Sequence, residues 1–167
     1  MGILDIFKPQ APTPMTVTSI LPDLARQEIL KGNLPVLNTN KLFLKSGEQC
    51  HYIDKAIYEK RKVQKRYVRS GNGYSVPGLF KGTRVKAWGG HTDVVDNVQY
   101  ETLRGILYIT NKRIIFVGES EGFDKRIDDL IVLTPYANCV ELQFSKGKNK
   151  LFVPDGSVTN SVLQQVR

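Results

Sequence analysis

A chain of 167 residues corresponds to one domain with a short appendage, and 41% hydrophobic with 24% charged content belongs to a folded chain rather than a disordered one. No apolar run approaches about 18 residues, which argues against a transmembrane helix, and two cysteines, Cys50 and Cys139, are too few for a disulfide scaffold. The net charge of +8 is concentrated in residues 41–90, where twelve Lys and Arg stand against Glu48, Asp54 and Glu59.

Met1 to Pro14 reads as a detachable linker, with a short apolar start and then Pro9, Pro12 and Pro14, which oppose a helix. Gly2 raises the question of myristoylation, but Ile6 stands where that signal needs Ser or Thr. These residues lack a signal peptide's basic start and long apolar stretch, so the chain is expected to be intracellular. A short helix should follow. Pro22 suits its first turn, Gly32 its C-terminal cap, and Leu21, Leu24, Ala25 and Ile29 fall on one stripe. Residues 1–40 are accordingly read as linker and helix, and 41–167 as the main domain.

From residue 41 the texture turns to strands. Expected pieces are Leu42–Leu44, Cys50–Ile53 and Ala56–Tyr58, then Tyr74–Leu79 and Thr83–Trp88, with Ser70-Gly71-Asn72-Gly73 read as a turn and Gly89-Gly90 as a stop. Within this stretch Lys60, Arg61, Lys62, Lys65, Arg66 and Arg69 place six cations in ten positions. Such a run attracts phosphates, lipid headgroups or an acidic protein surface, and equally protects a solvated strand from edge-to-edge pairing. On a strand, Lys60, Lys62 and Arg66 share one face, and Arg61, Lys65 and Arg69 the other.

The clearest local signal runs from Gly105 to Gly118, two β-branched and aromatic runs flanking Asn111-Lys112. Asparagine tolerates the left-handed conformation of a tight two-residue hairpin, and apolar residues on both faces predict a central place in the sheet. Leu130–Thr134, Val140–Phe144 and Leu151–Val153 continue the pattern. Asp155 or Ser157 can cap a final helix over 157–166, with Val158, Val162 and Val166 on one face. The expected fold is mainly β: about seven antiparallel strands as a bent sheet or partly open barrel, a C-terminal capping helix and a short N-terminal helix.

This order, with Gly105-Ile-Leu-Tyr-Ile-Thr-Asn-Lys-Arg-Ile-Ile-Phe-Val-Gly118, an upstream Gly47-Glu48 and a downstream Tyr136 before Val140-Glu141-Leu142, resembles GRAM-like and bacterial PH-like domains of the pleckstrin-homology superfold. The resemblance covers residues 42–167. It implies a non-catalytic intracellular module that docks to an anionic membrane surface or a protein partner, at the inner face of the membrane in the first case. The basic cluster Lys60–Arg69 lies in an early hairpin comparable to the one classical phosphoinositide sites use. No residue-level lipid motif is matched, and fold analogy does not assign function by itself.

Chemistry beyond docking is thin. Cys50 and His51 are strand neighbours that point to opposite faces and cannot act as a pair, and no spacing of the two cysteines with His51 and His91 makes a zinc site. The expectation is a buried cysteine and a surface histidine. Asp124, Asp128 and Asp129, flanked by Lys125 and Arg126, read as local charge pairing, and no cofactor or metal is expected. Two other classes stay open. One is an assembly module that binds itself or a neighbour; the other is a nucleic-acid binder using the basic segment with Tyr58, Tyr67 and Tyr74.

Overall fold

The computed structural model describes residues 15–77, 81–82 and 84–167; at 69, 70, 72–77, 85–88 and 91 the description covers the backbone alone. The detachable segment expected at 1–14 lies outside the described residues. In chain order come α1 (Asp23–Leu30), β1 (Cys50–Pro77), β2 (Arg84–Thr110), β3 (Arg113–Gly118), β4 (Gly122–Arg126), a 3-10 turn (Ile127–Asp129), β5 (Leu130–Pro135), β6 (Cys139–Phe144), β7 (Gly147–Phe152) and α2 (Gly156–Val166). The chain is mainly β, and its strands form one seven-stranded antiparallel open sheet in the order β4-β3-β2-β1-β7-β6-β5.

The chain divides into two units, one comprising the described residues up to Lys60 with Thr102–Arg167, the other Arg61–Glu101. The segment before β1 belongs to the first unit because its apolar residues are used there: Leu21, Ala25 and Ile29 enter the main core, and Leu34 and Leu37 pack against it. Leu24, expected on the same stripe, is 78% exposed, since α1 buries only the narrow i, i+4, i+8 line.

The first unit holds the core. Tyr52, Leu107, Ile109, Ile114, Phe116 and Leu142 on the strands meet Val158, Val162 and Leu163 of α2, with Val166 half-buried at the end of the same stripe. The opposite face of β1–β3 carries a smaller cluster of Cys50, Tyr108 and Ile115, covered in part by Leu42. The hairpin β2–β3, in register Ile109↔Ile114 and Leu107↔Phe116, is thus buried on both faces as its sequence predicts. β4 was not anticipated; its charged alternation suits an edge strand, exposed at every second residue.

Helix α2 is held at its start. The Asp155 carboxylate accepts from the N–H groups of Ser157 and Val158 at 2.9 and 3.3 Å, and Arg26 of α1 reaches its other oxygen at 2.7 Å. Ser161 and Gln165 of α2 donate in turn to the Ile29 carbonyl at the end of α1. Gly156 donates its N–H to Ala137 O at 2.9 Å, and a Cβ there would stand 1.8 Å from the Tyr136 carbonyl oxygen. Gly156→Ala is expected to destabilise by about 1–3 kcal/mol through this overlap, as read by urea unfolding. A change near zero would show that the β5–β6 connection yields.

In the second unit β1 and β2 continue without the breaks expected from sequence. Ser70–Gly73 and Gly89-Gly90 lie inside strands, because glycine permits a turn without requiring one. Leu42–Leu44, expected as a strand, is irregular. Among the described residues of 61–101 no side chain is buried.

Candidate functional site

The six cations named from sequence all lie on β1. Lys60 belongs to the first unit and forms an ion pair with Glu121. Lys62, in the second, pairs with Glu101 of β2, Nζ to Oε2 at 2.5 Å. Arg61, Lys65 and Arg66 are exposed and have no ion-pair or hydrogen-bond partner among the described residues. The Arg69 side chain lies outside the described residues, as do those of Tyr74 and His91.

The two strand faces therefore differ. Two of the set Lys60, Lys62 and Arg66 are engaged with carboxylates, while Arg61 and Lys65 of the other set point into solvent unneutralised. Val63, Tyr67 and Val68 stand among them at 48%, 69% and 42% exposure. By sequence, 61–101 carries eight Lys and Arg against Asp93, Asp96 and Glu101, so this unit is strongly positive. A ribbon exposing guanidinium and ammonium groups beside aliphatic and phenol side chains can neutralise phosphate while its apolar groups meet an interface.

Sequence reasoning missed a second polar centre, in the first unit, and it gives the Thr-Asn-Lys-Arg turn its chemistry. Arg113 is nearly buried and donates from Nε to Glu48 Oε1 (2.8 Å), from Nη2 to Glu48 Oε2 (2.9 Å), from Nη1 to Asp124 Oδ2 (2.6 Å) and from Nη2 to the Phe43 carbonyl (3.0 Å). Thr110 donates its hydroxyl to Glu48 Oε1 at 2.7 Å and accepts from the N–H groups of Lys112 and Arg113, closing the turn. Asn111 receives the Gln49 N–H and donates to the Gly47 carbonyl. Asn111 was expected to be left-handed, yet among the described residues no non-glycine has positive φ; the Thr110 hydroxyl closes the turn instead. Burial raises the Glu48 pKa, but the bonds from Arg113, the Lys45 N–H and Thr110 outweigh it and bring it down to about 2. The motif is a brace tying the 45–49 loop to the β2–β3 hairpin.

The remaining candidates are structural. His51, expected at the surface, is buried, with Nδ1 2.8 Å from the Pro35 carbonyl oxygen that the preceding loop brings over it. Burial pushes both the Cys50 and the Cys139 thiol up to about 11, so neither is a ready nucleophile at neutral pH. Asp124 pairs with Arg113, and Asp128 with Arg126. Among the described residues no group of His, Cys, Asp and Glu could hold a metal ion, and no helix is long and apolar enough to cross a membrane. A hollow of about 520 Å³ over Ile57, Ile106 and Val117 has Lys55, Arg104 and Glu119 at its rim, charges of both signs and none of them buried. Compared with known proteins, the chain matches no family model, no curated protein and no solved structure.

Proposed function

We propose that this chain is a non-catalytic, PH-like docking module that binds an anionic membrane surface through the basic stretch of β1, as a cytoplasmic protein peripheral at the inner face. The observation that carries the reading is the run Arg61–Val68, exposed at every residue, with Arg61, Lys65 and Arg66 unneutralised beside Val63 and Tyr67. Headgroup phosphates supply the missing counter-charge, and each cation near an anionic surface contributes on the order of 1 kcal/mol, fading with salt. The resemblance of the Gly105–Gly118 hairpin to GRAM-like domains agrees with docking rather than catalysis.

Sedimentation with phosphatidylcholine vesicles, with and without 30% phosphatidylserine, at two salt concentrations tests this. The parent should bind only the anionic vesicles, and less at high salt. Arg61→Glu with Lys65→Glu should weaken binding about 30-fold or more, whereas Lys60→Glu with Lys62→Glu should weaken it less, because those two charges are already met by Glu121 and Glu101. Equal, salt-independent behaviour of all three proteins would overturn the reading. Tighter binding to duplex or single-stranded nucleic acid, or self-association unaffected by vesicles, would transfer the same surface to the nucleic-acid or assembly reading.

A further inference from the structure

The loop 41–45 of the first unit presents a side chain that the fold does not use. Leu42 turns inward onto the Cys50, Tyr108 and Ile115 cluster, Phe43 is 96% exposed and Leu44 is 38% exposed. A phenylalanine left almost wholly in water forgoes the burial that ordinarily justifies it.

The loop is nonetheless fastened along its length. Arg113 holds the Phe43 carbonyl at 3.0 Å, the Lys45 N–H donates to Glu48 Oε2 at 2.7 Å, and the Lys112 ammonium donates to the Ser46 carbonyl at 2.6 Å. The Lys41 N–H donates to Thr39 Oγ1 at 3.2 Å. Exposure of Phe43 is thus held in place by the Glu48–Arg113 brace. Exposed Lys41 and Lys45 flank it in the chain, and exposed Lys112 fastens to the same loop at Ser46. The nearby acids are spoken for: Glu48 is buried against Arg113, Asp124 also pairs with Arg113, and Asp128, just past the Ile127 N–H that bonds the Lys112 carbonyl, pairs with Arg126. Asp129 is the remaining exposed carboxylate on that turn.

An exposed apolar tip on a loop carrying Lys41 and Lys45 and held by Lys112 matches a partner that is anionic at its surface and apolar just beneath. We propose that Phe43 and Leu44 insert into the interfacial layer of an anionic bilayer while Lys41, Lys45 and Lys112 engage its headgroups. This rests on the membrane reading above but uses a different unit and a different force, so its salt response differs: apolar insertion survives the screening that weakens the basic strand.

The test places a polarity-sensitive nitrobenzoxadiazole label on Phe43→Cys; Cys50 and Cys139 are buried and stay unlabelled. On vesicles with 30% phosphatidylserine, emission should rise several-fold, shift to the blue and be quenched by lipids with a nitroxide near the headgroup. Phe43→Ser should lower vesicle partitioning about 30-fold, the loss of one buried phenyl group, without moving the thermal midpoint. Arg61→Glu with Lys65→Glu should reduce the bound fraction yet leave the depth of the label in that fraction unchanged. Protein that sediments with the vesicles while the label stays in water overturns insertion and leaves the docking reading standing. Failure to sediment at low salt overturns both. An emission rise with protein concentration in the absence of lipid would assign Phe43 to a second copy and also overturn insertion.

Discussion

Replacing Arg113 with methionine is expected to cost about 3–5 kcal/mol, the range for removing one partner of a buried ion pair. Glu48, 6% exposed, would be left with only the Thr110 hydroxyl and the Lys45 N–H, Asp124 would lose its partner, and the Phe43 carbonyl its donor. The pH dependence makes this specific. In the parent, Glu48 is held at about 2 against an ordinary 4.5, so its stabilisation is complete above 4.5 and is lost as pH falls toward 2, roughly 3 kcal/mol in all. Without the guanidinium, burial dominates and the carboxyl prefers to be protonated. The variant should therefore gain stability as pH drops from 7 to about 4.5, a range over which the parent's Glu48 contribution is constant before it falls below 4.5. Urea unfolding at pH 7, 5 and 3 measures both slopes. Parallel slopes would show that Glu48 is not the group being titrated.

Val162→Asp should be still more disruptive, lowering stability by about 4 kcal/mol or more and leaving a marginal chain unfolded at 37 °C. Val162 has no exposed surface in the middle of α2 and belongs to the core shared with β1–β3 and β6. A carboxylate there would have neither water nor a cation. Circular dichroism and thermal melts of Val162→Asp beside Val162→Ala separate a charge penalty from a cavity. If the two variants melt alike, the helix has moved aside to let the carboxylate reach water.

The parts of this fold legible in the sequence are those where local and tertiary preferences agree. Helix α2 was marked by Asp155 and the valine stripe, and the Gly105–Gly118 hairpin by two unbroken β-branched runs. Strand pairing overrode local signals elsewhere. Ser70–Gly73 has turn composition, but a ladder partner keeps it extended. Gly122–Arg126 has the composition of a loop and becomes an edge strand because β3 offers hydrogen bonds along Ile114–Val117. The basic run was plain in the chain, whereas the difference between its two faces was not, since it depends on Glu121 and Glu101 arriving from elsewhere. Leu42-Phe43-Leu44 looked like a strand; its flanking Lys41 and Lys45 were the available hint of an exposed tip.

The position of β7 has a consequence for how the chain is made. Every pair of neighbours in the sheet is also consecutive in the chain except β1 and β7, whose seam joins Ile57 to Phe152, Tyr58 to Leu151 and Glu59 to Lys150. Closing so long a loop costs about 4 kcal/mol of chain entropy before any contact returns it. During translation at about 5–20 residues per second, the strand carrying Tyr52 and Ile57 must wait roughly 5–20 s for its partner. Leu151 to Val166 bring both that partner and the helix that covers the core. A nascent chain halted before them has its meanders but neither seam nor lid, which makes the stretch from β7 through α2 the point before which a stalled or truncated product is a substrate for chaperones and proteases.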